Sequence, residues 1–499
     1  MKINNRAQNL IRLILLILTL TAVYILSDKI LLLKNRDGTE QFRSFYLQKK
    51  NTVDVLFVGN SHSYCHINPG ILWTDYGISS FDLGGAEQTP SLSYYYIKEA
   101  LKTQRPKVVC LDISFIDTSA HEYIRPEFLI TNILGMRYNE NRWLALKDNV
   151  KEGDLKNYIL PLGITHGRYA ELTRSDFVSE YKTAGFKGFY GKERIEAFTP
   201  PEGINNTERL PLTDKEEKDL KRIIDLLKSE DIPLFLMVTP YIVDAESQAK
   251  FNTVFDMADE CGVSWTDLNQ LSGEMQLDYD TDFAEEDHLN RSGSTKLSFF
   301  LGKMLKEKYA LSDHRGDPAF SSWDQDAERA KQEFAASYMK SIEDTDTFFD
   351  LFLNGRGTSD FPESHYTGNP KDYVLFVQLY DDPDEMAANI LDDLASIGIK
   401  APVKGRKYMI DGKECVYSTD DTRFRTAFSS KRDDLMFGAE EVSFEGETDY
   451  KTRVRIGSEV HSIPRTDTRI VIYDKVLNRV VSEISIDSSG NLSVSEDQS

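Results

Sequence analysis

The sequence predicts an α/β protein: a parallel sheet covered on both faces by helices, preceded by one membrane-spanning helix and followed by a smaller β-rich α/β domain. Three observations carry this expectation. Apolar runs at 53–58, 107–113 and 233–238 alternate with amphipathic helical patterns, and strands apolar on both faces belong in parallel sheets packed between helices. Residues 10–26 are almost wholly apolar, interrupted by Arg12, and about 17 to 20 such residues suit one bilayer crossing. Beyond Tyr309 a polar stretch with Gly and Pro gives way to closely spaced strand-like segments, the mark of a second domain.

At 499 residues, 40% hydrophobic and 28% charged, the chain has room for two or three ordinary globular cores. The expected divisions are an anchor at 1–35, a catalytic-type α/β domain at 45–310 with an insertion at about 117–208, a linker with helices at 311–370, and an accessory domain at 371–490. Lys2 and Arg6 precede the apolar run and Lys29, Lys34 and Arg36 follow it, so flanking charge does not decide orientation. No small-x-small cleavage site follows either, which favours an uncleaved anchor over a signal peptide.

The elements then run in order. Strand 53–58 ends in Gly59-Asn60-Ser61-His62, and helix 91–102 leads through Arg105-Pro106 to strand 107–113. The less regular 117–208 stretch reads as an insertion over the sheet edge. Thr213 and Glu216 form a capping box ahead of Leu220, Ile223, Ile224 and Leu227, an i, i+3, i+4, i+7 stripe. Strand 233–238 ends at Thr239-Pro240-Tyr241, helix 249–261 leads to strand 263–267, and a helix beginning at Ser292 turns Leu297, Phe300, Leu301 and Met304 to the core. Further helical patterns cover 324–353 and 387–397. Strands are expected at 373–379, 408–410, 442–444, 451–456, 469–473 and 480–486, and the polar tail 488–499 is expected to fray.

A net charge of −22 argues against a nucleic-acid partner, because phosphate binding needs basic patches. Cys65, Cys110, Cys261 and Cys415 are scattered. Cys110 and Cys261 read as small buried hydrophobes, with no disulfide framework and no zinc-type pair. No metal or cofactor is expected.

Ser61 follows an apolar strand through a tight polar turn, where open α/β sheets place their ligands. Far downstream stands Phe283-Ala-Glu285-Glu-Asp287-His288-Leu-Asn290. A serine hydroxyl is a weak nucleophile at neutral pH and needs a base, which in turn needs a carboxylate to orient it. Ser61, His288 and one of Glu285 or Asp287 supply those three roles; spacing favours Glu285, and Asp287 is the competitor. The bland alternatives are a surface turn whose serine caps a helix, and a histidine ahead of a helix capped by Asn290 or Ser292. His62 and His66 stand four apart, but Asn68-Pro69 disfavours a regular helix there, and a loop at the cleft mouth is expected. His166-Gly167-Arg168-Tyr169 is a candidate acceptor contact or a solvated turn. Tyr94, Tyr95 and Tyr96 point in different directions on a helix and read as packing.

Gly59-Asn60-Ser61-His62, the turn Phe81-Asp-Leu-Gly84-Gly85-Ala-Glu-Gln88, and Phe283-x-Glu285-x-x-His288-Leu-Asn resemble the SGNH/GDSL hydrolase superfamily over about 53–305. They are most similar to its membrane-anchored branch, which includes the teichoic-acid D-alanylation protein DltD and cell-surface O-acetylation proteins. The resemblance implies a flavodoxin-like three-layer sandwich performing ester hydrolysis or acyl transfer. Ser61 would be the nucleophile and His288 the base, with Gly85 and the Ser61 amide in the oxyanion hole. Two departures stand out. The family's oxyanion asparagine has no match, its place falling at Leu111-Asp112-Ile113-Ser114, so Gln88 and His62 become the candidate donors. The family acid position is held by a glutamate, Glu285. In the second domain, Thr468 to Asp474 and Asn478 to Asp487 resemble the end of an ILEI/PANDER-like domain, although Arg465-Thr-Asp-Thr468 replaces the expected glycines. That implies an accessory module for binding glycan or positioning a partner.

The expectation is therefore a single-pass, membrane-anchored serine acyltransferase or esterase of the cell envelope, with an extracellular catalytic domain. It would modify a cell-surface glycopolymer through an acyl-serine intermediate, taking its acyl group from a donor that, by the resemblance, a membrane-bound O-acyltransferase partner passes across. The alternative is a non-catalytic surface scaffold or carbohydrate-binding protein that retains the fold.

Overall fold

The computed structural model describes residues 5–31, 38–116, 126–150, 153–155, 158, 165–170, 172, 174–177, 187–192, 194–329, 373–419, 442–446, 451–456, 459–464, 467–475 and 479–494. Five parallel strands form the first sheet: β1 (Val55–Gly59), β2 (Ser80–Gly84), β3 (Val108–Asp112), β4 (Leu234–Val238) and β5 (Ser264–Asp267). Their spatial order is β2-β1-β3-β4-β5. That is the flavodoxin-like doubly wound order, whose switch point lies between β1 and β3.

Residue alternation on the strands builds the three layers. Leu56, Val58, Val109, Leu111, Leu236 and Val238 enter one core, against the helices Pro90–Ala100, Asp214–Ser229 and Ala245–Cys261. Val55, Phe57, Val108, Cys110, Phe235 and Met237 enter the other, against Pro69–Tyr76 and Arg291–Lys308. The expected capping box forms as read: Thr213 takes the Glu216 amide and Glu216 takes the Thr213 amide.

Several local expectations need correction. Residues 80–84 belong to a strand rather than to a glycine turn, because pairing with β1 from Val55↔Ser80 to Gly59↔Gly84 satisfies their backbone. His62 and His66 lie on a short helix, Ser61–His66, and both are buried. Pro69 constrains only Asn68 before it, which sits extended at φ −100°, ψ 102°. The polar tail carries a strand, Leu492–Val494, paired to Arg479–Ile486. Besides the short helix Arg174–Phe177, the described part of the insertion contains the helices Pro126–Leu134 and Glu140–Asn149. They dock on Pro90–Ala100, where Tyr96 donates to Asn132 O (2.6 Å) and Asn149 donates to Ser91 Oγ (3.0 Å).

The N-terminal helix Asn5–Leu31 includes Gln8–Ser27, 20 residues of mean hydropathy 2.4 with none buried, long and apolar enough to cross a membrane. Arg168 of the insertion donates to Leu31 O at its end (2.7 Å) and pairs with Asp176. Residues 311–329 fold back on the first domain: Trp73 Nε1 donates to Asp324 (2.8 Å) and Lys187 stands 2.6 Å from Asp326. The rest of the 324–353 helical expectation lies outside the described residues. The four cysteines are free.

The second domain is a six-stranded antiparallel sheet ordered Glu414–Thr419, Lys407–Asp411, Tyr373–Gln378, Thr468–Asp474, Arg479–Ile486, Leu492–Val494. The helix Ala388–Ser396 packs one face through Ile390 and Leu394; Val454 and Ile456 of a three-stranded ribbon pack the other. Arg291, at the start of a first-domain helix, places its guanidinium 3.0 and 3.2 Å from both oxygens of buried Asp474. The two domains are thereby joined beside the segment that carries His288.

Candidate active site

β1 ends at Gly59 with φ 155°, where a Cβ would stand 3.0 Å from Asp112 Cβ. Glycine there lets the carboxyl ends of β1 and β3 close together. Gly84 serves a similar purpose, since a Cβ would run into Ser63 Oγ. Asn60 caps the following helix, accepting from the His62 amide (3.0 Å) and lying 3.1 Å from Ser114 Oγ. Its Oδ1 is thereby held, and Nδ2 has no partner among the described residues. Ser61 is the first residue of the helix, half-buried, at the switch point of the sheet.

Glu285 and His288 are cross-strand partners in a tight hairpin of Phe283–Glu285 and His288–Leu289. A two-residue turn therefore converts their i, i+3 spacing into direct apposition. Ser61 Oγ lies 2.8 Å from His288 Nε2, and His288 Nδ1 lies 2.7 Å from Glu285 Oε1, in a bent contact. Asp287 occupies the turn. Asn290 holds the hairpin closed: its Nδ2 donates to Thr281 O (2.8 Å) and its Oδ1 accepts from Ser292 and Gly293. So the capping role foreseen for Asn290 exists alongside the Ser61–His288–Glu285 contacts.

Lys192, which the sequence reading missed, stands 3.4 Å from Glu285 Oε1. The insertion's exit puts it there by pairing beside Asn290 and accepting from the Arg291 amide (2.8 Å). The His288 contact, followed by Lys192, holds the Glu285 carboxyl down at about 2. Glu285 is thus an anion across the neutral range and suited to stabilise an imidazolium.

Behind His288 sit two more imidazoles. The His62 and His66 rings stack at 4.5 Å and stand 5.5 and 5.6 Å from the His288 ring. Burial first, and then neighbouring histidines, push both well below the ordinary histidine range. Their lone pairs and that of His288 come within 4.8 Å of one another. Both nitrogens of His66 are occupied, by Thr239 Oγ1 (2.9 Å) and the Leu289 amide (3.2 Å), and those of His288 by Ser61 and Glu285. A metal ion would have to break these bonds, so the arrangement favours acid–base work. Asp112 is buried, raised by desolvation against the lowering effect of hydrogen bonds from Ser114 and Thr239.

The remaining sequence candidates occupy definite places. The Gly85 amide donates to Gly59 O (3.2 Å), and the buried Gln88 carboxamide donates to Ser93 Oγ (3.0 Å). A role at the oxyanion requires the Gly85 amide to release its acceptor, whereas the Gln88 NH₂ keeps a second hydrogen. His62 Nδ1 is buried with no partner among the described residues. Asp112 ends β3, next to β1, and Thr239 follows β4, one strand further on; their position at the carboxyl edge was the one signal that could have marked them.

No protein-family model matches the chain, and no curated protein sequence matches it. Among solved structures it is similar to a protein assigned as a lipolytic member of the G-D-S-L family from Desulfitobacterium hafniense, at 12% identity and TM-score 0.27, covering 51% of this chain and 100% of that one. It is also similar to a gut microbial diltiazem-metabolizing enzyme, at 14% identity and TM-score 0.21, covering 51% of this chain and 47% of that one.

Proposed function

We propose that the protein is a membrane-anchored serine acyltransferase or esterase of SGNH type that modifies a cell-surface glycopolymer. The observation that carries this reading is the line from Ser61 Oγ to His288 Nε2 (2.8 Å) to Glu285 (2.7 Å) at the switch point of the sheet. Ser61 Oγ attacks the acyl donor's carbonyl carbon as His288 Nε2 takes its proton, and Glu285 stabilises the imidazolium. The Ser61 amide, with Asn60 Nδ2 beside it, donates to the developing oxyanion. Collapse passes the proton from His288 to the leaving group and leaves an acyl-serine. His288 then deprotonates a sugar or polyol hydroxyl, or water, which attacks the acyl carbon and restores Ser61. The catalytic domain lies outside the cell, a membrane-bound O-acyltransferase supplies the donor, and the second domain, ILEI/PANDER-like, positions glycan or partner.

Fluorophosphonate labelling of the full-length protein in detergent tests this. Wild type is expected to label at Ser61, and Ser61→Ala and His288→Ala to lose labelling with little change in melting. Labelling that persists in Ser61→Ala would point to another nucleophile. A wholly inert wild type would favour the second reading, a surface scaffold or carbohydrate-binding protein. The aspartate at the asparagine position and the bonded Gly85 amide speak for that reading.

A further inference from the structure

Asp112 stands where the sequence resemblance places an oxyanion asparagine, yet it is fully buried and accepts at both oxygens. Oδ1 takes the Ser114 amide (2.9 Å) and the Ser114 hydroxyl, which also lies 3.1 Å from Asn60 Oδ1. Oδ2 takes the Thr239 amide (3.0 Å) and the Thr239 hydroxyl (2.8 Å). The Thr239 proton being committed to Asp112, its oxygen accepts from His66 Nδ1 (2.9 Å). His66 Nε2 is then left with a lone pair for the Leu289 amide (3.2 Å). The single Ser114 hydroxyl proton is shared between Asp112 Oδ1 and Asn60 Oδ1, and Thr239 and His66 are, like Asp112, fully buried. Leu289 directly follows His288, and Asn60 directly precedes Ser61.

We infer that Asp112 is a positioning residue that holds the nucleophile and the base in register. One oxygen fixes the Ser61 turn through Ser114 and Asn60. The other fixes the His288 hairpin through Thr239 and His66. The inference rests on the serine-acyl reading and gives the missing asparagine a reason. An asparagine has one acceptor oxygen, and its NH₂ would face two donors at Ser114 or at Thr239. A loss of register of about 1 Å costs on the order of a hundredfold in rate.

The test compares Asp112→Asn, Thr239→Val and Thr239→Ser with wild type in the full-length protein. Hydrolysis of p-nitrophenyl acetate gives kcat and KM, and hydrogen exchange by mass spectrometry follows the peptide covering 283–291. Asp112→Asn and Thr239→Val are expected to lower kcat by about 10- to 100-fold with KM within about twofold. Both should also speed exchange at the hairpin, while Thr239→Ser, which keeps the hydroxyl, stays near wild type in both readouts. An Asp112→Asn variant as active as wild type or more so, or a Thr239→Val indistinguishable from Thr239→Ser, would overturn the relay. An inert wild type would sink the acyl reading alone. The exchange comparison then still decides the relay, through Thr239→Val against Thr239→Ser if Asp112→Asn fails to fold.

Discussion

Replacing Glu285 by glutamine removes a charge while keeping the shape of the hairpin. The imidazolium formed in the transition state then loses a carboxylate whose oxygen stands 2.7 Å from Nδ1. Two unit charges centred about 4 Å apart at an effective dielectric of about 20 attract by about 4 kcal/mol. Glu285 is 46% exposed, so water screens it, and Lys192 already offsets part of its field. Halving the attraction leaves about 2 kcal/mol, or about 30-fold in rate. Misorientation of the ring adds to this, giving about 30- to 300-fold overall, below the roughly ten-thousand-fold effect of a buried triad aspartate. Asp287→Asn should cost about tenfold or less. The assay is kcat/KM on one acyl ester at constant ionic strength, with melting measured in parallel. The pH dependence of stability has a definite sign. Glu285 is depressed to about 2 when folded, so its stabilising contribution is present above the ordinary carboxylate range and fades as pH falls through about 2. Glu285→Gln should flatten that acid limb. A larger loss for Asp287→Asn than for Glu285→Gln would refute the assignment and transfer the role to Asp287. Equal small losses would leave a Ser61–His288 dyad.

Two stability predictions follow from buried charge. Asp82 is fully buried with neither oxygen hydrogen-bonded among the described residues, and burial raises its carboxyl well above the ordinary range. Its protonated form is favoured by folding, so stability is greatest below the unfolded value near 4 and declines as pH rises toward the folded one. Asp82→Asn should therefore match wild type near pH 4 and gain on the order of 1–3 kcal/mol near pH 8 by urea denaturation; a gain independent of pH would contradict this. Asp474→Ala leaves Arg291 buried without its carboxylate and should cost about 3–5 kcal/mol. Pairing it with Arg291→Met should recover most of that loss, whereas additive losses would show that the interdomain pair carries no coupling.

The motifs around Ser61, His288 and Glu285 stood out in the sequence because each is a short-range feature. An apolar strand, a capped turn and an i, i+3 hairpin pair leave their marks within a few residues. The apolar strands β1, β3 and β4 were visible for the same reason, as was the capping box at Thr213. β2 was not, because Asp82 interrupts its apolar pattern and its strand character comes from pairing with β1. The helix at Ser61–His66 was missed because the effect of Pro69 was extended too far back. The Asn60 cap supports six helical residues before the constraint on Asn68 applies.

Taken alone, the sequence determined the alternating α/β pattern, the apolar N-terminal helix, and the residue types able to perform acyl chemistry, since periodicity and local spacing act over one element at a time. Tertiary structure decided which of those residues meet. Placement of β3 between β1 and β4 carries Asp112, Thr239 and His66 into one buried chain. The exit of the insertion brings Lys192 to Glu285, and the second domain brings Asp474 to Arg291. These contacts join residues far apart in the chain, and their partners are selected by the packing of whole elements, which no local pattern encodes.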